Sequence, residues 1–538
     1  MSAYDILIIG GGIVGAGAAR DAAMRGLRVC LVEQSDLAFG TSSRSSKLVH
    51  GGIRYLEQGE FSLVFEAVSE RRVLMEIAPH LVKPLGFLFP VYDQSKRGVF
   101  TVNLGMWLYD GLSLFRSPRI HRNLTPKDAE TEEPGLIRTG LKGAPLYYDC
   151  ATDDARLTLE NALDAQAHGA ELRTWTKLTG FMRDPTGRIT GAHVRDVITG
   201  IESDITAHVV LNATGPWTDS VRGLSANAKP LVRPTKGVHA VVDHARLPVN
   251  NAVVCFHPDD GRVLFAIPWG DRTYIGTTDT DWQGDPAEVA ADADDVRYLL
   301  SAANRYFPSA NLVSEDVLST WAGLRPLIAA DGRSYNVSRE HEIVVDPDGL
   351  ITIAGGKLTT YRKMAAELVD RAMAMLRLTG DVTTPLREAH TARQPLPGAV
   401  GWPEDDDPAR VEALIKAAGP VSDATAKQLV TTYGTRGVDV AALVKENPAL
   451  GAVLVDGRPE ILAQVDWAVR KEAARTVRDV MTRRTQLFLR DRNQGLGAVE
   501  RVADRMAELS NWSADRRTEE ILAYQREVAR SRAWRAKP

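Results

Sequence analysis

The sequence predicts a three-part fold: an α/β domain assembled from separated segments, a second domain built on a β-sheet, and a helical C-terminal domain. Three observations predict it. A strand–glycine turn–helix–strand pattern opens the chain, and strand-like runs that end in glycine turns recur far downstream. A proline- and acid-rich stretch at residues 391–410 (TARQPLPGAVGWPEDDDPAR) then separates all of this from a region with only helical periodicity. A chain of 538 residues is too long for one hydrophobic core, so several domains are required.

The first element is a short apolar strand at residues 6–9, followed by a small-residue helix at 14–25 that stops at Gly26, and a second strand at 28–33 (RVCLVE). Between strand and helix stand Gly10, Gly12 and Gly15, a GxGxxG signature of Rossmann-like domains. The first glycine permits the tight turn, the second lets backbone approach a diphosphate, and the third lets helix pack on strand. The helix N-terminus then offers free N–H groups and partial positive charge to that diphosphate. Glu33 ends the second strand about 20 residues on, where a carboxylate accepts from ribose hydroxyls and repels a 2′-phosphate.

The runs at 208–213 and 350–354 end in Thr214-Gly215-Pro216 and Gly355-Gly356, and assign residues 1–80, 150–225 and 340–390 to the α/β domain. A dinucleotide domain split in this way favours FAD over a nicotinamide. The blocks 81–149 and 226–339, rich in β-formers, make the second domain; within them 262–278 reads as a hairpin around Trp269-Gly270-Asp271. Residues 391–538 form the helical domain, with long amphipathic stretches at 460–489 and 497–532. Its basic residues Arg470, Lys471, Arg475, Arg478, Arg483 and Arg484 read as a solvated helix face.

A formal net charge of −4 leaves no basic domain of the kind that binds nucleic acid. The three cysteines, Cys30, Cys150 and Cys255, have neither CxxC nor Cys/His ligand spacing, so no metal site is expected, only structural thiols in a reducing compartment. The longest uncharged apolar run, 6–19, falls short of the roughly 20 residues of a membrane span and has no basic region before it. The expectation is a cytoplasmic protein, with peripheral attachment to a membrane left open.

Longer strings carry a resemblance. Residues 41–56 read TSSRSSKLVHGGIRYL, 213–217 ATGPW, 235–239 TKGVH, 267–279 IPWGDRTYIGTTD, 323–326 GLRP and 355–363 GGKLTTYRK, and 479–491 read DVMTRRTQLFLRD. In this order and spacing the chain resembles the FAD-dependent, respiratory-chain glycerol-3-phosphate dehydrogenases, within the wider group of D-amino-acid-oxidase-like flavoproteins. The resemblance implies an α/β FAD-binding (Rossmann-like) domain, an antiparallel-sheet substrate domain and a helical cap. It implies FAD as cofactor, glycerol 3-phosphate as substrate, a membrane quinone as electron acceptor and peripheral contact with the inner face of the cytoplasmic membrane. It leaves a homodimer open.

Carried over residue by residue, it places Gly10, Gly12, Gly15 and Glu33 on the ADP half of FAD. Thr41, Ser42, Ser45 and Ser46 meet the diphosphate and flavin, with Gly215 nearby. Gly356, Lys357, Leu358 and Thr359 lie by the flavin pyrimidine edge. Arg54 and Arg325 are the substrate clamps, because a guanidinium offers planar paired donors to phosphate oxygens; Lys357 adds a point charge and Tyr55 one further donor. His50 is the first candidate for general base and His239 the second, since imidazole titrates near neutral pH. An O2-using oxidase, an amino-acid oxidase of the same fold and a flavin-holding scaffold fit the same outline. A membrane contact is expected at residues 100–114 (FTVNLGMWLYDGLSL), centred on Met106, Trp107, Leu108 and Tyr109.

Overall fold

The computed structural model describes residues 4–53, 56, 59–113, 118–225, 229–329, 341–380 and 386–536. β1 (Tyr4–Ile9) runs into α1 (Ile13–Met24) and returns as β2 (Val29–Val32), parallel to β1. Every β1 residue after Tyr4 is buried, and the strand's alternation divides them between two layers. Ile6 and Ile8 pack with α1 and the helix Tyr361–Thr379, while Leu7 and Ile9 pack with Leu178, Val194 and Ile205 of an antiparallel ribbon. A parallel sheet covered on both faces must be apolar on both faces, hence the unbroken run ILII.

The strands Glu202–Asn212 and Ile351–Gly355 join this sheet in parallel on the far side of β1, although they stand far apart in the chain. The outer strand His341–Val345 pairs with Ile351–Gly355 antiparallel. Sheet order therefore brings Gly10, Ala213 and Gly355, the C-terminal ends of three strands, to one edge.

The second sheet contains eleven described strands. Its spine is Val232–Asp243, flanked by Val317–Ile328 and Arg272–Gly276, both antiparallel to it. The expected hairpin is present: Val263–Trp269 and Arg272–Gly276 pair with Trp269 opposite Arg272 across a Gly270-Asp271 turn, with Gly270 at φ +64°. One pair, Lys83–Leu88 with Ala252–Phe256, is parallel.

The C-terminal region is helical but more broken than its periodicity suggests. In place of one helix over 460–489 the chain forms Ala463–Lys471, Val477–Asp479, a π-turn at Val480–Arg484 and Leu487–Arg490. The helix ends where Ala473 turns left-handed (φ +54°) and Ala474 N donates to Ala468 O; the Glu472 carboxylate is buried against Arg156 of the helix Asp154–Ala167 at 2.9 Å, and Thr476 then caps the next turn in a capping box with Asp479. The stretch 497–532 is likewise two helices, Val499–Ser510 and Ala514–Ser531, divided by Asn511 at φ +51° and capped by Ser513.

Two of the arginines expected on a solvated face are buried. Arg483 and Arg484 close on Asp36, just past β2: Arg484 Nη1 donates to Oδ2 at 2.5 Å and Nη2 to Oδ1 at 2.9 Å, while Arg483 Nε reaches Oδ2 at 2.6 Å. Burial pushes the Asp36 carboxyl up, but Arg484 and then Arg483 pull it below its usual value. The membrane-contact expectation also divides. In the helix Val99–Leu112, Met106 and Tyr109 are core residues, whereas Phe100 (83% exposed), Leu104 (62%), Trp107 (54%) and Leu108 (43%) face outward. The neighbouring helix Phe61–Ile77 exposes Phe61 and Phe65. No helix among the described residues is long and apolar enough to cross a membrane.

Asp36→Ala leaves two buried guanidinium groups facing each other. Removing one partner of a buried pair costs about 3–5 kcal/mol, so the first chemical-denaturation transition moves to lower denaturant and the unfolding free energy read from it falls by that amount. A loss under about 1 kcal/mol would mean that Asp479 and Glu472 take over the pairing.

Candidate active site

The edge where the three strands end opens into a cavity of about 1280 Å³, larger than the roughly 300–1,000 Å³ of a small-ligand pocket and of a size for a dinucleotide. Gly10 lies at φ +109°, and a Cβ there would stand 2.6 Å from Ala213 O; a Cβ on Gly15 would stand 1.9 Å from Gly10 O. These contacts are the reason for glycine at both positions: the turn and the helix pack backbone to backbone. Gly12 caps α1, whose first turn carries no acidic side chain to compete with an anion. Ser42 Oγ accepts from Ile13 N at 2.9 Å, which leaves its own proton for the cavity it lines.

Glu33 lines the same cavity. Its Oε2 accepts from Gly11 N at 2.8 Å and its Oε1 from Ser35 N at 2.9 Å, so each oxygen keeps a lone pair. Burial raises the carboxyl above its usual value, against those two backbone donors. Gly215 (φ +56°), Gly356 (φ +83°), Lys357 and Leu358 complete the far wall. Glycine-paved backbone, a helix N-terminus and a cavity-lining carboxylate just past β2 fit FAD.

A second cavity of about 170 Å³ adjoins the first through Thr41, Ser45, Gly356, Lys357 and Leu358, which line both. His50, His239, Arg325, Lys357, Ser46 and Arg44 converge on it. His50 is placed by its backbone: its N–H donates to Thr359 Oγ1, and Thr359 Oγ1 donates to His50 O, both at 3.1 Å. His239 is buried, stacked on Trp321 with centroids 4.6 Å apart, and its Nε2 lies 2.9 Å from Ser46 Oγ. Burial first, then Arg325 and Lys47, push its imidazole well below the usual range, so it is neutral at pH 7. Arg325 is aimed by Asp279 (3.2 Å), Thr277 Oγ1 (3.1 Å) and Thr278 O (3.1 Å). Arg54 and Tyr55 lie outside the described residues.

The serine loop is more committed to the protein than its residue types suggest. Thr41 Oγ1 donates to Leu324 O at 2.6 Å. Ser45 gives its hydroxyl proton to Asp154 Oδ2 at 2.7 Å and accepts from Lys47 N at 3.0 Å. The second sheet grips the same loop, Trp321 Nε1 on Ser45 O (3.0 Å) and Tyr274 OH on Ser46 O (2.9 Å). Two residues escaped sequence reasoning. Arg44 stands inside the TSSRSS string, yet its guanidinium lies over Phe39 at 5.2 Å, and burial lowers it to about 10, with Arg530, Arg483 and Arg478 adding to the fall against Glu527. Asp279 was in view in GTTD but has no local sign that it aims Arg325. The three cysteines are buried and unpaired.

Comparison with known proteins shows the family. Residues 5–362 match the FAD dependent oxidoreductase family, and residues 389–517 match the C-terminal domain of alpha-glycerophosphate oxidase. The chain is 39% identical to an aerobic glycerol-3-phosphate dehydrogenase of Staphylococcus haemolyticus, over 96% of this chain and 92% of that protein. It is 37% identical to a glycerol-3-phosphate dehydrogenase of Synechocystis, over 97% and 96% of the two chains. A crystal structure of the glycerol-3-phosphate dehydrogenase from Bacillus halodurans complexed with FAD superposes with a TM-score of 0.80 at 34% identity, covering 98% of this chain and 95% of that one. With its glycine cradle, its converging basic residues and near full-length similarity, the chain belongs to the family of FAD-dependent glycerol-3-phosphate dehydrogenases.

Proposed function

We propose that the protein oxidises sn-glycerol 3-phosphate to dihydroxyacetone phosphate and passes the electrons to a membrane quinone. The observation that carries this reading is the small second cavity, where two imidazoles and two side-chain cations meet against the wall shared with the cofactor cavity. When bound, FAD would supply the electron sink, the acceptor for hydride from substrate C2. Gly10, Gly12, Gly15, Glu33 and Ser42 hold its ADP half, and Gly356, Lys357 and Leu358 hold its flavin end.

The protein's own part is to fix the substrate and take a proton. Arg325 presents a planar fork to phosphate oxygens, and Lys357 adds a second positive charge beside it. His50 takes the C2 hydroxyl proton. His239 is the alternative base: it is neutral, and its Nδ1 has no hydrogen-bond partner among the described residues. Relatives at 39% and 37% identity are dehydrogenases, which supports an acceptor other than O2.

Anaerobic mixing with glycerol 3-phosphate is expected to bleach the flavin. Arg325→Ala lowers kcat/KM about tenfold to a hundredfold for glycerol 3-phosphate, the worth of a charge-assisted bond, and far less for glycerol. Equal losses on both substrates would refute phosphate recognition, and peroxide formed in step with product under air would make the enzyme an oxidase.

His50→Asn keeps FAD bound but slows flavin reduction by about 10²–10⁴ and removes the acid limb of the pH profile. An unchanged limb would move the role to His239 or to another group.

Peripheral contact with the membrane is proposed at the outward face of the helix Val99–Leu112, where Phe100, Leu104, Trp107 and Leu108 meet solvent. Wild type floats with anionic liposomes, whereas Leu104→Asp with Leu108→Asp stays behind at unchanged activity with a soluble dye. Equal flotation of both proteins would remove this face from the reading.

A further inference from the structure

We propose that Arg478, on the C-terminal helical region, is a direct contact for the anionic diphosphate–ribose stretch of FAD, so that the cofactor site is completed by the C-terminal region. Arg478 lines the large cavity together with Glu33, Ser35, Phe39, Gly40, Thr41 and Ser42. Its guanidinium lies 5.0 Å from the centroid of Phe39 and 5.5 Å from that of Trp175, two rings that fix where the cation stands.

Charge balance points the same way. Among the described residues its carboxylate neighbour is Glu527, at 3.7 Å, and both oxygens of Glu527 already accept from Arg530 at 2.8 and 2.9 Å. The next two arginines, Arg483 and Arg484, are matched by Asp36. Arg44 also lies over the Phe39 ring, at 5.2 Å. Among the described residues the Arg478 guanidinium has no carboxylate within hydrogen-bond distance, so its donors are left for an anion that enters the cavity, and a diphosphate is such an anion.

The position of Arg478 is also held from both sides of the segment 33–36. Asp479 Oδ2 accepts from Trp175 Nε1 at 3.0 Å, Trp175 N donates to Ser35 O at 2.7 Å, and Arg483 closes on Asp36. These bonds tie the loop that carries Glu33 to the turn that carries Arg478. The proposal rests on FAD as the occupant of the cavity.

The test is dilution of holoprotein, with released FAD read by its fluorescence, at low and at high salt. Arg478 is only partly buried (24% exposed side chain), so its replacement leaves the fold in place. Arg478→Met is expected to raise the Kd for FAD about tenfold at low salt, the gap from wild type narrowing at high salt, and Arg478→Lys to recover most of the loss. A Met variant within about twofold of wild type overturns the proposal, as does a loss that is equal at both salts and not rescued by Lys, which would be packing alone. Wild type that neither carries nor takes up FAD would instead sink the occupant itself.

Discussion

A buried ion pair fixes the loop on which both cavities depend. Lys47 Nζ donates to Asp154 Oδ1 at 2.6 Å, with the two side chains 3% and 0% exposed. Asp154 opens the helix Asp154–Ala167, and its other oxygen accepts from the backbone and hydroxyl of Ser45. Lys47 sits at φ +53°, a conformation that non-glycine residues hold only when their surroundings impose it. Ser42 and Arg44 precede this anchor and His50 follows it, so the residues facing the diphosphate, the arginine cluster and the second cavity are all referenced to one clamp. Replacing such a pair with apolar residues is often neutral for stability; what the pair contributes is a single geometry.

The same device recurs wherever the C-terminal region meets the α/β domain. Arg156 faces Glu472, Asp36 faces Arg483 and Arg484, and Arg20 faces Asp164 with the carbonyl oxygens of Thr391 and Gln394. Each arginine has several donors in a fixed plane, and a buried one is tolerable only if carboxylates or carbonyls meet them in that plane. An interface of this kind resists sliding more than a purely apolar one does. It keeps the turn at 475–484 and the loop at 33–36 in constant relation while the cavity between them accepts a long ligand.

How far the fold was legible follows from where its causes lie. β1, α1 and β2 were readable because the glycine turn, the strand apolarity and the stop at Gly26 are local. The hairpin at Gly270-Asp271 was readable for the same reason. The break after Glu472 was not, because it turns on a left-handed Ala473, a residue type that does not announce such a turn, and Glu472 itself pairs with Arg156, distant in sequence; yet Thr476 with Asp479, and Asn511 with Ser513, are local caps that helical periodicity obscured. Met106 and Trp107 were grouped by composition, and only the helix phase separates core from surface. At the site, the glycine cradle was legible as backbone chemistry. The engagement of Ser45 by Asp154 and the aiming of Arg325 by Asp279 were not, since each is a pairing between segments that no periodicity connects.

The electrostatics of the second cavity tie binding to chemistry. His239 is held neutral by burial and by the positive field of Arg325 and Lys47. In the proposed reaction a dianionic phosphate docks on Arg325, and a nearby anion favours the protonated form of an imidazole. With His50 taking the C2 proton, that shift is a by-product of docking; were His239 the base, substrate would weaken the part of the field that Arg325 sets just when a proton has to be taken. Glycerol, which lacks the phosphate, leaves that field intact. Arg325 then has two opposed effects: it docks the phosphate, and its own charge disfavours proton acceptance at His239.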